Sequence, residues 1–396
     1  MTAINPHVLA PEVQHYLHAH ETMPPADMAL RKSPFPGVSP LELAQQLDGR
    51  QRCRKKLPLW HGTPGIYYPE KLSVEQASSQ ATAQYKASLI PRQARVIDLT
   101  GGLGIDAYFF AQRANTVVHC EKNEALSQIA AHNAFVLGTT NIAFIASDGI
   151  AYLHSQPDNA FDYVYVDPSR RVESRKVFRL EDCEPNVVEA QQELLQKAGN
   201  VVIKSAPLLD ISAALQALEN VSEVHIVSID NECKELLFVL DRAYTGTAQF
   251  TAALLKDESV RTFSFTATEE KTAVSEFGQP AHYLYEPDAA LLKSGAFKLI
   301  GQRYGLKKLH QHTHLYSSET PVPDFPGKAF AIGKVMSYGD FKKDKAVWHA
   351  AVSTRNFPLK AEDLRKRHRI REGEDLYLFF CTGIDGMLLV IFASKC

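Results

Sequence analysis

A chain of 396 residues is longer than one ordinary domain, so two to four domains are expected. Hydrophobic residues at 45% and charged residues at 22% give the balance of a globular protein and exclude a disordered or fibrous one. A formal net charge of -2 excludes a globally basic surface, so any nucleic-acid contact must be local.

Residues 1–85 read as a mainly helical region. Proline-rich breaks interrupt it at Met23-Pro24-Pro25, Ser33-Pro34-Phe35-Pro36-Gly37 and Gly62-Thr63-Pro64-Gly65. Pro40–Leu47 and Gln51–Lys56 carry helical patterns. Ser73 with Gln76 predicts a capping box that opens a further helix. The face Gln76, Ser79, Thr82, Ala83 and Lys86 of that helix is unusually polar. It is either solvated or closes over a ligand.

From 86 to 242 strand and helix alternate with short links, as a parallel sheet requires. Strand Arg95–Leu99 carries Asp98 at its tip and runs into Thr100-Gly101-Gly102-Leu103-Gly104. Glycines there let the backbone turn tightly and approach a ligand. Strand Thr116–Glu121 ends in Glu121, an acid placed to accept ribose hydroxyls. Strand Ile142–Ala146 leads into Ser147-Asp148-Gly149, suited to an exocyclic adenine amine. Strand Phe161–Val166 ends in Asp167-Pro168-Ser169-Arg170-Arg171. Helix Asn186–Lys197 and strand Asn200–Lys204 follow. The hairpin Val224–Ile229 with Glu235–Leu240 brings the strands to seven and supplies one antiparallel member. In such sheets ligands bind outside the carboxyl ends of the strands, where the strand order reverses. Gly102-x-Gly104-x-x-Ala107, with Glu121 about 20 residues on, also fits a dinucleotide fingerprint. The glycines alone therefore leave a nicotinamide oxidoreductase open. An acid at each of four successive strand ends is more than such an enzyme needs.

Residues 243–327 predict a small α+β module, for which a ferredoxin-like arrangement is one option. Phe250–Leu255 and Val260–Thr266 alternate like strands, and Ala289–Tyr304 reads as a helix. Residues 328–396 predict strands Phe330–Met336 and Ala346–Val352, helix Leu359–His368, and a hairpin of Leu376–Cys381 with Met387–Ala393. The helix ends in a basic run that includes Arg365, Arg367, Arg369 and Arg371. With Arg355 and Lys360 nearby, that run could hold RNA phosphates. It could equally complement the helix dipole.

The six cysteines show no C-x-x-C spacing, and the 15 histidines no H-E-x-x-H. No metal site and no disulfide framework are expected, which fits a cytoplasmic protein. No apolar run reaches membrane-spanning length, so no membrane partner is expected. The oligomeric state is left open.

The run from 86 to 242 resembles the class I S-adenosylmethionine-dependent methyltransferases. The resemblance implies an α/β fold with a Rossmann-like seven-stranded sheet, an N-terminal helical region and C-terminal α+β modules. It implies S-adenosyl-L-methionine as cofactor, with Asp98, Gly101, Gly102, Gly104 and Asp106 in the cofactor loop. Glu121 would hold the ribose, Asp148 and Gly149 the adenine, and Asp167, Pro168 and Ser169 the transfer site. Residues 328–396 are similar to the THUMP-like domain attached to a bacterial group of these enzymes. The run from Ser353-Thr354-Arg355-Asn356-Phe357-Pro358-Leu359 through Gly386 carries that likeness, which implies RNA as partner.

The chain departs from the family's amino-methylating motif, Asp/Asn-Pro-Pro-aromatic. Ser169 replaces the second proline and Arg170 the aromatic residue. Asp-Pro-x-Arg is similar to the motif of enzymes that methylate uracil C5 in RNA. Those need a cysteine after the fifth strand, where this chain reads Val201-Val202-Ile203-Lys204-Ser205-Ala206-Pro207. Serine is a poor nucleophile for that step, and Cys183 would have to swing in. The expectation is therefore direct methyl transfer to nitrogen or oxygen. Asp167 would act as base or acceptor and Lys204 would orient it. Arg170, Arg171 and Arg175, with Arg365 and Arg367 of the tail, would contact the substrate. Two other readings stand beside it: a small-molecule or protein methyltransferase, and a non-catalytic RNA-binding module that keeps the cofactor fold.

Overall fold

The computed structural model describes residues 4–170, 179–257 and 259–396. Two compact units emerge. The first is Met1–Ser222 with Leu237–Gly246, the second Glu223–Leu236 with Thr247–Cys396.

The first unit opens with helices Pro11–Ala19, Pro25–Ala29, Pro40–Lys56, Pro58–Gly62, Lys71–Gln76 and Gln80–Ser88. The first four begin with proline, whose missing N–H costs nothing in the first turn. Ser39 and Glu42 form a reciprocal capping box on the third, with Ser39 N–H to Glu42 Oε2 at 2.8 Å. The two patterns read between 40 and 56 are one continuous helix. Gly49 sits mid-helix because a Cβ there would lie 2.3 Å from Tyr68 Cβ. The capping box expected at Ser73 does not form. Ser73 lies inside Lys71–Gln76, and Ser79 caps the next helix by accepting from Thr82 N–H at 3.2 Å.

The strands are β1 (Arg95–Asp98), β2 (Thr116–Cys120), β3 (Ile142–Ile145), β4 (Phe161–Val166), the short β5 (Ser169–Arg170) and β6 (Cys183–Glu184), β7 (Ala198–Ser205), β8 (Val221–Ile229), β9 (Glu232–Asp241), β10 (Gln249–Lys256) and β11 (Ser259–Thr266). β5 and β6 pair with each other, antiparallel. The others form one sheet in the order β11-β10-β8-β9-β7-β4-β1-β2-β3. β1 is parallel to both β2 and β4, and β4 to β7. Their apolar runs, such as Val164-Tyr165-Val166 and Val201-Val202-Ile203, are buried on both faces, as a covered parallel sheet demands. The chain builds outward from β1 to β3 and then returns to the other side with β4. The order therefore reverses between β1 and β4, the place where such folds bind ligands.

The sheet has nine strands where seven were expected. β10 lies parallel to β8 in the register Ala252↔Ile226, and β11 is antiparallel to β10. Residues 249–266 thus lengthen the large sheet while belonging to the second compact unit. Asp230 and Asn231, at φ 50° and 66°, make the tight turn between β8 and β9.

The second sheet lies in the second unit. Its strands are β12 (Tyr283–Pro287), β13 (Lys307–Lys308), β14 (Tyr316–Ser318), β15 (Gly327–Ser337), β16 (Ala351–Arg355), β17 (Tyr377–Thr382) and β18 (Leu388–Lys395), in the order β13-β14-β12-β15-β18-β17-β16. Both faces are covered: Phe379 and Ile391 pack on one side, Leu378, Phe380 and Val390 on the other. The strand expected at Ala346–Val352 falls at Ala351–Arg355, where Ala351 registers with Tyr377. The helix expected at Ala289–Tyr304 is two helices, Ala289–Ser294 and Leu299–Tyr304. The first ends at Gly295, whose φ of 82° favours glycine.

Candidate active site at the sheet's switch point

Asp98 ends β1 and is 1% exposed. Its Oδ1 accepts from Thr100 N–H at 3.0 Å and lies 3.5 Å from the Thr100 hydroxyl. Gly101 N–H donates to the Cys120 carbonyl at 2.8 Å and so ties the loop to β2. A Cβ on Gly101 would stand 2.2 Å from His119 Nε2. His119 is fully buried, and neither ring nitrogen finds a hydrogen-bond partner among the described residues. Burial holds this imidazole below its ordinary pKa, so it is a neutral ring wedged under the loop. Gly102 and Gly104 adopt φ of 54° and 77°, and Gly104 caps the helix Ile105–Ala111.

Glu121 follows β2. Its two oxygens accept from Gly102 N–H at 2.9 Å and Asn123 N–H at 2.7 Å, so it braces the glycine loop. Asp148 caps the helix Gly149–His154 through Ala151 N–H at 2.8 Å and pairs with Lys122 at 2.8 Å. The Lys122 hydrogen bond holds its carboxyl below the usual range. A Cβ on Gly149 would lie 2.2 Å from the Leu99 carbonyl oxygen, so this backbone also passes bare against β1.

Asp167 follows β4 on the other side of the reversal. Its N–H donates to Thr100 Oγ1 at 2.7 Å, and its carboxylate accepts from Lys204 Nζ, which β7 supplies. Thr100 therefore touches both acids. Pro168 is half-buried and Ser169 exposed. Arg170 registers opposite Cys183 in the β5–β6 pair. Arg171 and Arg175 lie outside the described residues.

Asp106 turns inward. Lys86 Nζ stands 3.0 Å from its Oδ1, while the hydroxyls of Ser78 and Tyr165 donate to Oδ2 at 2.7 and 3.1 Å. Burial works against ionisation here, yet Lys86 and then Lys204 hold this carboxyl below its ordinary range. Ser78, Thr100, Tyr165 and His119 are neighbours of these acids that motif reading passes over. Lys86 belongs to the polar face Gln76, Ser79, Thr82, Ala83 and Lys86 that the sequence offered as closing over a ligand.

In the second unit, Arg365 pairs with Glu372 at 3.2 Å and Arg367 is exposed. Arg355 turns to Glu286 at 2.6 Å instead. Among the described residues no group of three histidine, cysteine, aspartate or glutamate side chains could hold a metal ion. None of the described helices is long and apolar enough to cross a membrane.

Residues 283–326 match the family model of a ferredoxin-like domain, and residues 327–395 that of a THUMP-like domain. A crystal structure from Porphyromonas gingivalis W83, assigned as a methyltransferase, is 33% identical. The match covers 100% of both chains with a TM-score of 0.89. Two strains of Mycobacterium tuberculosis each carry an uncharacterized S-adenosylmethionine-dependent methyltransferase that is 23% identical over 342 residues. The alignments cover 84% of this chain and 90% of theirs.

Proposed function

Because this chain belongs to the S-adenosylmethionine-dependent methyltransferases that carry a C-terminal THUMP-like domain, we propose that it transfers a methyl group directly to a nitrogen or oxygen of RNA. The observation that carries the reading is the pairing of Asp167 with Lys204 across the switch point from the glycine loop.

The residues fit the cofactor. Gly102 faces open space, since a Cβ there would meet nothing nearer than the Thr100 carbonyl oxygen at 3.9 Å. Glu121 uses one lone pair of each oxygen on Gly102 and Asn123, which leaves acceptor capacity for ribose hydroxyls. Asp148 is kept ionised by Lys122 and can accept from an amine. Bound there, S-adenosylmethionine supplies an electrophilic methyl group on a positively charged sulfur.

The chain's task is then alignment and charge acceptance. Asp167 receives a hydrogen bond or a proton from the attacking atom, and Lys204 fixes the direction of its carboxylate. A covalent route would need a thiolate. Cys183 Sγ instead donates to the Arg179 carbonyl at 3.6 Å. The substrate contacts of this reading are Arg170, Arg171 and Arg175, which follow Asp167 in sequence, and separately Arg365 and the exposed Arg367.

The test is methyl incorporation from labelled cofactor into total bacterial RNA. Asp167→Asn should lose turnover by about a hundredfold or more while keeping cofactor affinity. Cys183→Ser should keep turnover. Full activity in Asp167→Asn overturns the assigned role, and silence in Cys183→Ser restores the covalent route. Label that survives ribonuclease in a protein or small molecule overturns RNA as acceptor.

A further inference from the structure

Among the described residues, the buried charges around Asp98 pair off with one left over. The groups facing Asp98 are Asp106 and Lys86 from the flanking helices, Asp167 after β4 and the Cys120 thiol of β2, with Lys204 of β7 behind Asp167. Lys86 neutralises Asp106, and Lys204 neutralises Asp167. Burial pushes the Cys120 thiol up to about 12, so it carries no charge. Two carboxylates and two ammoniums cancel. Asp98 is the third carboxylate, and the Lys86 ammonium that reaches toward it is already hydrogen-bonded to Ser78 at 2.7 Å and paired with Asp106. Its own hydrogen-bond donor is the neutral Thr100. An ionised carboxylate so buried needs a cation or a proton.

We propose that Asp98 holds a proton in the free protein and surrenders it when a cationic group of the cofactor takes its place, so that the site selects a cation and binding releases one proton. The proposal rests on the cofactor reading above. The O–H bond of Asp98 breaks, its electron pair stays on the carboxylate, and the proton passes to solvent. The charge of this buried cluster falls by one, which the ligand's positive charge offsets. Burial first, and then the neighbouring Asp106, set the Asp98 carboxyl well above the usual carboxylate range. That direction is the one the charge count requires.

The sign follows from linkage. Protons compete with the ligand, so affinity rises with pH up to the free protein's Asp98 pKa and levels off above it. The limiting slope is about tenfold per pH unit, the value for one proton released.

The experiment is calorimetric titration of the full chain with S-adenosylmethionine from about pH 5 to about pH 6.5, below the range where the ligand's own amine titrates. Two buffers of different ionisation enthalpy count the protons on the wild-type protein, without any variant. Asp98→Asn is run beside them. The expected result is net proton release and an affinity that climbs with pH in wild type but stays flat in Asp98→Asn. Binding with the same heat in both buffers overturns the inference and leaves the cofactor reading intact. Equal pH slopes in wild type and Asp98→Asn do the same. Absence of binding at every pH overturns both.

Discussion

The switch point of the first unit and the sheet of the second both bury charge but arrange it differently. In the first, Lys86, Asp106 and Asp98 are each less than a tenth exposed. The second covers both faces of its sheet with Phe379, Phe380, Ile391 and their neighbours, buries Glu286 of β12 against Arg355 and Lys308 of β13 against the Gln311 carbonyl, and sends Arg367 and Lys366 to the surface. Buried charge is costly unless paired, so a cluster of it marks chemistry that the fold is built around. Surface charge costs little and fits many roles. The first region therefore fixes a reaction class, while the second fixes only what kind of partner is compatible with it.

The largest break in this contrast should come from Lys86→Met. It strands Asp106 in the interior, and losses of about 3–5 kcal/mol follow when one partner of a buried pair is removed. Urea unfolding measures this, and Lys86→Met with Asp106→Leu together should recover most of it. If the single variant is as stable as wild type, the pair is not structural. A middle effect should come from Gly101→Ala, whose new methyl meets His119. Overpacking of this kind costs about 1–3 kcal/mol, and here the strain falls on the cofactor loop. Cofactor affinity should drop, and His119→Ala in the same chain should restore part of it. The smallest effect should be Arg365→Glu with Arg367→Glu. Stability should not change, but RNA affinity should weaken and its salt slope should fall by about one per lost phosphate contact. An unaltered slope would place the RNA contacts elsewhere.

These regions also differ in how far the sequence revealed them. The placement of Asp98, Gly101, Glu121, Asp148 and Asp167 on one edge was legible because each follows an apolar strand, and strand ends in an open α/β sheet converge there. Lys86 was legible as part of a polar helix face, but its pairing with Asp106, and that of Ser78, was not, since Asp106 lies on a different helix and no period links them. Phe250–Leu255 and Val260–Thr266 were read as strands without a partner, and as Gln249–Lys256 and Ser259–Thr266 they extend the large sheet. Their alternation fixes local shape, and only the register with Val224–Ile229 fixes the partner. The box expected at Ser73 failed because Ser79, six residues on, sits where the next helix needs its cap.

The contact between Gly101 and His119 has a consequence on an evolutionary scale. The glycine cannot grow while the imidazole stands 2.2 Å from where its Cβ would be. Shrinking the histidine first opens a hole beneath the cofactor loop. Either single step passes through a less fit protein, so the two positions can drift only as a pair. In this chain the steric link makes the choice of residue at 101 depend on the one at 119.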